Sequence, residues 1–329
     1  MNQPPNNDKH ELQRLIERLQ QQYQTIDDGA LADYIPELSK ANPDDFGIAL
    51  VTNNGRLFET GDTRQTFTIQ SISKPLTYGL ALEVYGQEEV SKYVGVEPSG
   101  DAFNSIMLED NTNRPFNAMV NAGAITVTAL LYKHYGDEAL DILLNRFSAA
   151  AGRSLAVDQN VYESESRTGH RNRAIAHLLL NFGMVHEKIE QAIDLYFKQC
   201  AILVNTRDLA MMAATIANIG ENPMTSETVF EADSVKNIMS IMFTCGMYDF
   251  SGEWAYRVGV PAKSGVSGGL IGVVNRQMGI ATYSPKLDKR GNSVRGIKAC
   301  IDLSSELGLH AFDYLNIGSN YLNTMINKT

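Results

Sequence analysis

Cysteine is scarce in this sequence. Its three thiols, Cys200, Cys245 and Cys300, are odd in number and form no Cys-x-x-Cys pair. Disulfide scaffolds and thiolate zinc sites use cysteines paired at short spacings. We therefore expect free, buried thiols in a reducing compartment. The six histidines add no ligand pattern either, so we expect neither a metal nor another cofactor.

Basic residues are fewer than acidic ones, and long apolar runs are also lacking. The 28 Lys and Arg residues against 38 Asp and Glu give a net charge of −10. Nucleic acids and anionic membranes attract basic surfaces, so we expect neither as a partner. No apolar run is long enough to span a bilayer, and the polar residues 1–8 contain no signal-peptide core. These features predict a cytoplasmic protein with disordered first residues.

The pattern that is present is globular, with two strand regions on either side of a helical middle. Residues 46–52 and 56–61 alternate around Asn54-Gly55, which predicts a tight hairpin. After Gly259, residues 260–265, 268–274 and 278–283 read as strands. Apolar residues at helical spacing predict helices at 8–25, 71–86, 117–135, 137–151, 173–182, 189–200, 208–219, 232–244, 249–258 and 297–307.

The simplest arrangement joins both strand regions into one antiparallel sheet flanked by the terminal helices, with the middle of the chain as a helical subdomain. This is an α+β fold. We expect an N-terminal helical extension at 1–25 and a single catalytic domain at 26–329. Within that domain, the sheet takes about 26–66 and 259–315, and the helical subdomain takes about 67–258. An active site is expected where these two parts meet.

Ser71 and Lys74 open the helix that follows the first hairpin. Pro75 is tolerated only in a first turn, so the helix should begin near Ser71, with both side chains on one face. Ser-x-x-Lys pairs a nucleophile with an amine in the penicillin-recognising serine enzymes. A serine at a helix start is more often a simple cap, so the motif alone does not establish catalysis. Ser73, the rival nucleophile, should point away from Lys74.

Lys263-Ser264-Gly265 supplies a second element of the same type. It is a close variant of Lys-Thr-Gly and stands where the C-terminal strands begin. Alone it is more often a glycine-rich turn, but together with Ser71 and Lys74 it outlines a cleft. Burial beside Lys263 should favour a neutral Lys74 through desolvation and like charge.

The middle element of the penicillin-recognising enzymes, Ser-Asp-Asn, is missing. Tyr248 and Asn121 stand in other motifs, and a tyrosine beside a lysine ammonium should have a lowered pKa and act as a base. Taken singly, each residue has a plainer interpretation. Tyr248 and Asn121 would be helix-end residues, Glu165 would belong to a solvated charged run, and Tyr196 would be core.

Together, these motifs resemble the serine-dependent glutaminases, which have the β-lactamase/penicillin-binding-protein fold. The resemblance spans roughly residues 28–315. The stretches that carry it are 33–38, 70–74, 97–100, 119–125, 164–166 with 171–172, 195–197, 245–252 and 261–269.

The resemblance implies hydrolysis of L-glutamine to L-glutamate and ammonia through a covalent γ-glutamyl-serine intermediate, without metal or cofactor. Ser71 would be the nucleophile, Lys74 its activating partner, and Tyr248 the residue that completes proton transfer to ammonia. The implied substrate-binding residues are Tyr34, Ser71, Asn121, Glu165, Asn172, Tyr196, Tyr248 and Val266, with Gln70 and Lys263 in support. The N–H groups of Ser71 and Val266 would bind the oxyanion. A homodimer or homotetramer is also implied.

Two other functions stay open at this point. A β-lactamase or peptidase would use the same serine and lysine, although the missing middle motif argues against it. A non-catalytic glutamine sensor would have no need of a nucleophile. Whether Lys74 or Tyr248 takes the first proton also stays open.

Overall fold

Two distant parts of the chain meet in one antiparallel sheet. The computed structural model describes residues 10–33, 35–100, 105–186 and 188–313. Its strands are β1 (Gly47–Thr52), β2 (Leu57–Gly61), β3 (Phe67–Thr68), β4 (Leu203–Val204), β5 (Ala262–Ser264), β6 (Gly269–Val274) and β7 (Met278–Tyr283). Five of them pair in the order β2-β1-β7-β6-β5, while β3 and β4 form a separate two-stranded pair. The expected joining of the two strand regions is confirmed.

The helices follow the predicted pattern with one addition. They are α1 (Glu11–Gln24), α2 (Ser73–Val90), α3 (Asn121–Tyr135), α4 (Ala139–Ala151), α5 (Gln159–Thr168), α6 (His170–Asn181), α7 (Ile189–Cys200), α8 (Thr206–Ala217), α9 (Ala232–Cys245), α10 (Ser251–Arg257) and α11 (Val294–Leu307). The sequence analysis did not predict α5. Its start is nevertheless marked by Asp158, whose carboxylate accepts the Asn160 and Val161 N–H groups.

Both faces of the sheet are covered, because alternate residues of each strand enter different cores. In β1, Ile48 and Leu50 join the core beneath the terminal helices α1 and α11. Ala49 and Val51 face the other core, where α8 packs on β1, β6 and β7. Gly279 permits this packing, because a Cβ there would lie 2.2 Å from the Ala214 nitrogen. The terminal helices therefore flank the sheet as expected.

The division of the chain into an extension, sheet parts and a helical subdomain stays a prediction. The packing of two helices bears on how separate these parts of the chain are. Helix α1 packs against β2 and α11, and its Ile16 and Leu19 are fully buried. Helix α8 comes from the middle of the chain but covers the sheet. Part of the middle of the chain therefore shares a core with the sheet instead of touching it only at an edge.

The structure describes the cysteines, the helix lengths and the clustering of possible metal ligands, while the expected absence of a metal or cofactor stays a prediction. The three cysteines are free and buried, as expected. Within the described ranges, no helix has the length and apolar character needed to cross a bilayer. The same part of the chain brings together no group of three or more His, Cys, Asp or Glu side chains that could hold a metal ion.

Candidate active site

Ser71 lies in a short 3-10 turn rather than at the start of a regular α-helix. The turn spans Gln70–Ile72 and precedes α2, which begins at Ser73. Gln70 has a φ of 49°, a left-handed conformation that is unfavourable for a residue with a side chain. Such backbone strain is concentrated at functional sites. The predicted helix start near Ser71 is therefore displaced by two residues, because this turn intervenes.

Ser73 has a different environment from Ser71. Its side chain is fully buried, its hydroxyl donates to the Gln70 carbonyl at 2.7 Å, and it accepts from the Gln199 side chain at 2.9 Å. These two bonds hold the Ser73 hydroxyl inside the protein. That Ser73 points away from Lys74 stays a prediction.

Lys74 is buried beneath the site. Its Nζ donates to the Met119 carbonyl at 3.1 Å and to Asn121 Oδ1 at 2.8 Å. Burial lowers the pKa of Lys74 to about 8, against smaller opposing effects of Cys200 and Glu165. A neutral amine has two N–H groups, and these two acceptors satisfy both. The lone pair is then left for another partner.

Tyr248 reaches the site from the loop between α9 and α10. Gly246 allows that loop to approach β5, since a Cβ there would lie 1.7 Å from the Ala262 carbonyl oxygen. The Tyr248 hydroxyl donates to the Ser264 carbonyl at 3.0 Å and is also hydrogen-bonded to Ser71. Like Gln70, Tyr248 has a left-handed backbone, with a φ of 59°.

The expected lowering of the Tyr248 pKa is wrong. Burial raises it well above its usual value, and the hydrogen bonds to Ser71 and Ser264 oppose this only in part. Lys263 does lie near the ring, with its Nζ 4.1 Å from the ring centroid. However, burial and the neighbouring Lys74 push the pKa of Lys263 well below its usual range, so it does not supply a stable cation. Tyr248 is therefore a neutral hydroxyl.

The electrostatic effect between the two lysines runs in the opposite direction from the expected one, in which Lys263 lowers the pKa of Lys74. Like charge from Lys74 lowers the pKa of Lys263, whereas the lowered pKa of Lys74 comes from desolvation alone. Lys263 Nζ also donates to the Ser264 carbonyl at 2.7 Å. That oxygen accepts from Tyr248 as well, so Lys263 and Tyr248 are held by one shared acceptor.

A cavity of about 210 Å³ opens beside Ser71. It is lined by Ser71, Gln70, Glu165, Asn172 and Tyr196, among others. Asn121 also lines it and donates to Asn172 Oδ1 at 2.9 Å. The structure thus brings together five of the residues predicted to bind substrate or act as nucleophile, together with the supporting residue Gln70.

Glu165 is the buried acidic residue of this cavity. It is 5% exposed, and burial raises its pKa to about 8, opposed by Gln70 and Lys74. Its Oε2 has no hydrogen-bond partner among the described residues. The plain interpretation of Glu165 as part of a solvated face is therefore wrong. A buried carboxylate with a free oxygen is suited to bind a cationic ligand group.

Cys200 also lines the cavity, although the sequence analysis treated it only as a buried thiol. It lies one turn after Tyr196 in α7 and is hydrogen-bonded to it. This i, i+4 spacing was the sequence signal that could have placed both on one face. The pKa of the thiol is raised well above its usual value by burial, so it is not a nucleophile at neutral pH.

Val266 follows β5 and lies in the turn that leads to β6. Gly265 brings this turn close to Ser71, because a Cβ there would lie 3.1 Å from the Ile69 carbonyl oxygen. The N–H groups of Ser71 and Val266 have no acceptor among the described residues. Both are thus available to an oxyanion. Tyr34, the remaining predicted site residue, lies outside the described residues.

Comparison with known proteins gives a consistent result. The family model described as "Glutaminase" matches residues 29–312. A glutaminase from Nostoc sp. is 54% identical over 308 residues, which cover 94% of this chain and 92% of the relative. A glutaminase from Corynebacterium glutamicum is 47% identical over 284 residues, covering 86% and 68%.

Solved structures agree with the fold. A structure described as the probable glutaminase ybaS superposes with a TM-score of 0.89 at 40% identity, covering 92% of this chain and 98% of the other. A structure of Mglu in its glutamate form also gives 0.89, at 43% identity, covering 94% and 71%. These likenesses confirm the α+β fold of the β-lactamase-like class. On the extent of the family match and the identity of its relatives, the chain belongs to the glutaminase family.

Proposed function

We propose that this glutaminase-family chain hydrolyses L-glutamine to L-glutamate and ammonia through a γ-glutamyl ester on Ser71. The observation that carries the proposal is that Ser71 and Glu165 line one buried cavity. A nucleophile and an unpaired carboxylate oxygen in one cavity match a free amino acid, which carries both a side-chain amide and a cationic ammonium group.

The polar groups around Glu165 suit the rest of the amino acid. Glu165 accepts from the α-ammonium group, and the amide and hydroxyl donors of Asn172 and Tyr196 bind the α-carboxylate. Gln70 hydrogen-bonds the Glu165 side chain and keeps it in place. Tyr34 is part of this proposed set by resemblance.

Acylation begins at Ser71. Neutral Lys74 takes the proton of the Ser71 hydroxyl, since its two N–H groups are already bonded to Met119 and Asn121. The Ser71 oxygen then bonds to the amide carbon. The N–H groups of Ser71 and Val266 stabilise the negative charge that develops on the amide oxygen.

Tyr248 completes the proton transfer. Its hydroxyl remains protonated because its pKa is raised, and it bonds to Ser71 beside the leaving nitrogen. The proton passes from Lys74 through this hydroxyl to the nitrogen as the C–N bond breaks, and ammonia leaves. In deacylation, water attacks the ester carbon, its proton follows the reverse path, and Ser71 regains its hydrogen as the ester bond breaks.

The decisive experiment measures ammonia release and the covalent state of the protein together. Wild-type protein should release ammonia from L-glutamine, and acid quenching during turnover should show by mass spectrometry one γ-glutamyl group on the peptide that contains Ser71. Ser71→Ala should show neither. Ammonia release by Ser71→Ala would contradict the proposal.

The same assay separates the other two functions. A β-lactamase or peptidase would be acylated at Ser71 by penicillin and would not release ammonia from glutamine. A sensor would bind glutamine without turnover. Each result would be visible with the wild-type protein alone.

We also propose a cytoplasmic homodimer or homotetramer. Three free buried thiols and the absence of a membrane-spanning helix in the described residues support the compartment. The oligomer rests on the family resemblance. Sedimentation velocity of the purified protein tests it, and a single species at the monomer mass would contradict it.

A further inference from the structure

We infer that a second cavity, on the Tyr248 side of the catalytic residues, receives the amine that leaves the substrate. The inference rests on the proposed function. This cavity has a volume of about 200 Å³ and is lined by Asn117, Met119, Cys245, Tyr248 and Gly252, among others. None of the described residues lines both this cavity, the amine cavity, and the one that contains Glu165, the substrate cavity.

Hydrogen bonds of the proposed catalytic residues link the linings of the two cavities. Lys74 Nζ donates to Asn121, which lines the substrate cavity, and to the carbonyl of Met119, which lines the second cavity. Ser71 lines the substrate cavity and is hydrogen-bonded to Tyr248, which lines the second. The reacting amide therefore lies at the boundary.

The order of the reaction steps requires a path for the leaving amine and for the attacking water on the Tyr248 side of Ser71. When the C–N bond breaks, the γ-glutamyl group stays bonded to Ser71 and continues to occupy the substrate cavity. The amine has just received its proton through Tyr248, so it departs next to that residue. Water must then reach the same ester carbon while the substrate cavity is still filled. The amine leaves, and water enters, through the cavity beyond Tyr248.

This arrangement predicts the class of substrate that the cavity admits. A glutamine with a small alkyl group on its amide nitrogen would place that group in the second cavity. The room available there depends on Gly252. A Cβ built on this glycine has no heavy atom of the described residues within 4 Å, and its backbone is not in the left-handed region. A side chain can therefore be added at 252 without a clash at its Cβ.

The test compares two substrates in the wild type and in variants with progressively larger side chains at position 252. The hydrolysis of L-glutamine and of γ-N-ethyl-L-glutamine is measured as kcat/KM for the wild type and for Gly252→Ala, Gly252→Val and Gly252→Leu. We expect the wild type to hydrolyse both amides. The ratio of ethylamide to glutamine should fall with side-chain size, by about tenfold or more in Gly252→Leu. Tyr256→Leu, on the same helix with Tyr256 85% exposed, should leave the ratio unchanged.

The outcomes of this experiment distinguish a failure of the amine cavity from a failure of the proposed function. An unchanged ratio in Gly252→Leu, or a wild type that hydrolyses glutamine but not the ethylamide, would overturn the amine cavity and leave the proposed function intact. A wild type that hydrolyses neither amide would overturn the proposed function, and the inference with it. Gly252→Ala adds a single carbon to open space, so it tests the ratio even if the larger variants do not fold.

Discussion

Asn121 connects Lys74 to the substrate cavity. Its Oδ1 accepts from Lys74 Nζ at 2.8 Å, and its Nδ2 donates to Asn172 at 2.9 Å. Asn121 is thus a neutral acceptor beside an amine whose pKa burial lowers to about 8. A charged acceptor in its place would change the protonation of that amine.

Asn121→Asp is expected to hold Lys74 as an ammonium ion. A carboxylate at hydrogen-bond distance raises a lysine pKa by roughly 1–3 units. Since the proposed base is neutral Lys74, kcat at pH 7 should fall about tenfold or more, and the acidic limb of the kcat–pH profile should move to higher pH. Asn172→Asp places the same charge farther from Lys74 and should move the limb less. An unmoved limb in Asn121→Asp would exclude Lys74 as the titrating base.

Glu165→Gln is expected to weaken substrate binding. The variant keeps the shape of the side chain but removes the ionic partner of the α-ammonium group. A hydrogen bond to a charged group contributes roughly 1.5–3 kcal/mol, so KM for glutamine should rise about tenfold to a hundredfold. Steady-state kinetics at pH 8 measures this. An unchanged KM would remove Glu165 from the binding residues.

The same substitution should stabilise the folded protein at neutral pH. The pKa of Glu165 is raised from 4.5 to about 8, so the native state keeps a proton that the unfolded chain releases between these values. The stability contributed by Glu165 is full below pH 4.5 and is lost as pH rises toward 8. At pH 7, Glu165→Gln should unfold with a free energy roughly 2–3 kcal/mol higher, and the difference should vanish near pH 4. Urea unfolding without substrate at both pH values measures it, and equal stability at pH 7 would mean that the carboxylate is not destabilised by burial.

Tyr248→Phe isolates the contribution of one hydroxyl. The ring that faces Lys263 is retained, while the bond to Ser71 and the proton for the leaving nitrogen are lost. We expect kcat to fall roughly 10²- to 10⁴-fold with little change in KM. Tyr283→Phe is the matched control, because Tyr283 is also a buried tyrosine but lines neither cavity. A kcat near the wild-type value in Tyr248→Phe would contradict the proton-transfer role.

Ser73→Ala should affect stability rather than catalysis. The variant removes the acceptor of the Gln199 side chain and the donor to the Gln70 carbonyl in a fully buried position. An unsatisfied buried group costs about 1–3 kcal/mol, which thermal or urea unfolding would detect. The folded fraction should still turn over glutamine. Loss of turnover in a folded Ser73→Ala would favour Ser73 over Ser71 as the nucleophile.

Local patterns predicted the elements that local interactions decide. The hairpin of β1 and β2 follows from alternation around Asn54-Gly55, where Gly55 adopts a φ of +79°. Helix α7 has the predicted ends because its apolar stripe is continuous from Ile189 to Cys200. The spacing of Ser71 and Lys74, three residues apart, predicts that the two side chains share a face, and this stays a prediction.

Helix α5 is a case in which the local sequence pattern did not predict the structure. Its central residues, Glu163 to Arg167, are mostly charged, and this composition is typical of a solvated face. The helix packs instead against α7, which buries Ser164 and Glu165. A carboxylate acquires its special chemistry only through neighbours that come from other parts of the chain.

Residue order alone was enough to predict that two strand regions share one sheet, and that a serine and a lysine lie three residues apart near the start of a helix. The packed protein was needed to show that Ser71 bonds to Tyr248, that Ser73 is held inside the protein, and that the pKa of Tyr248 is raised rather than lowered. Spacing along the chain sets which side chains share a face. Desolvation depends on every element that packs around a group, and those elements are distant in sequence.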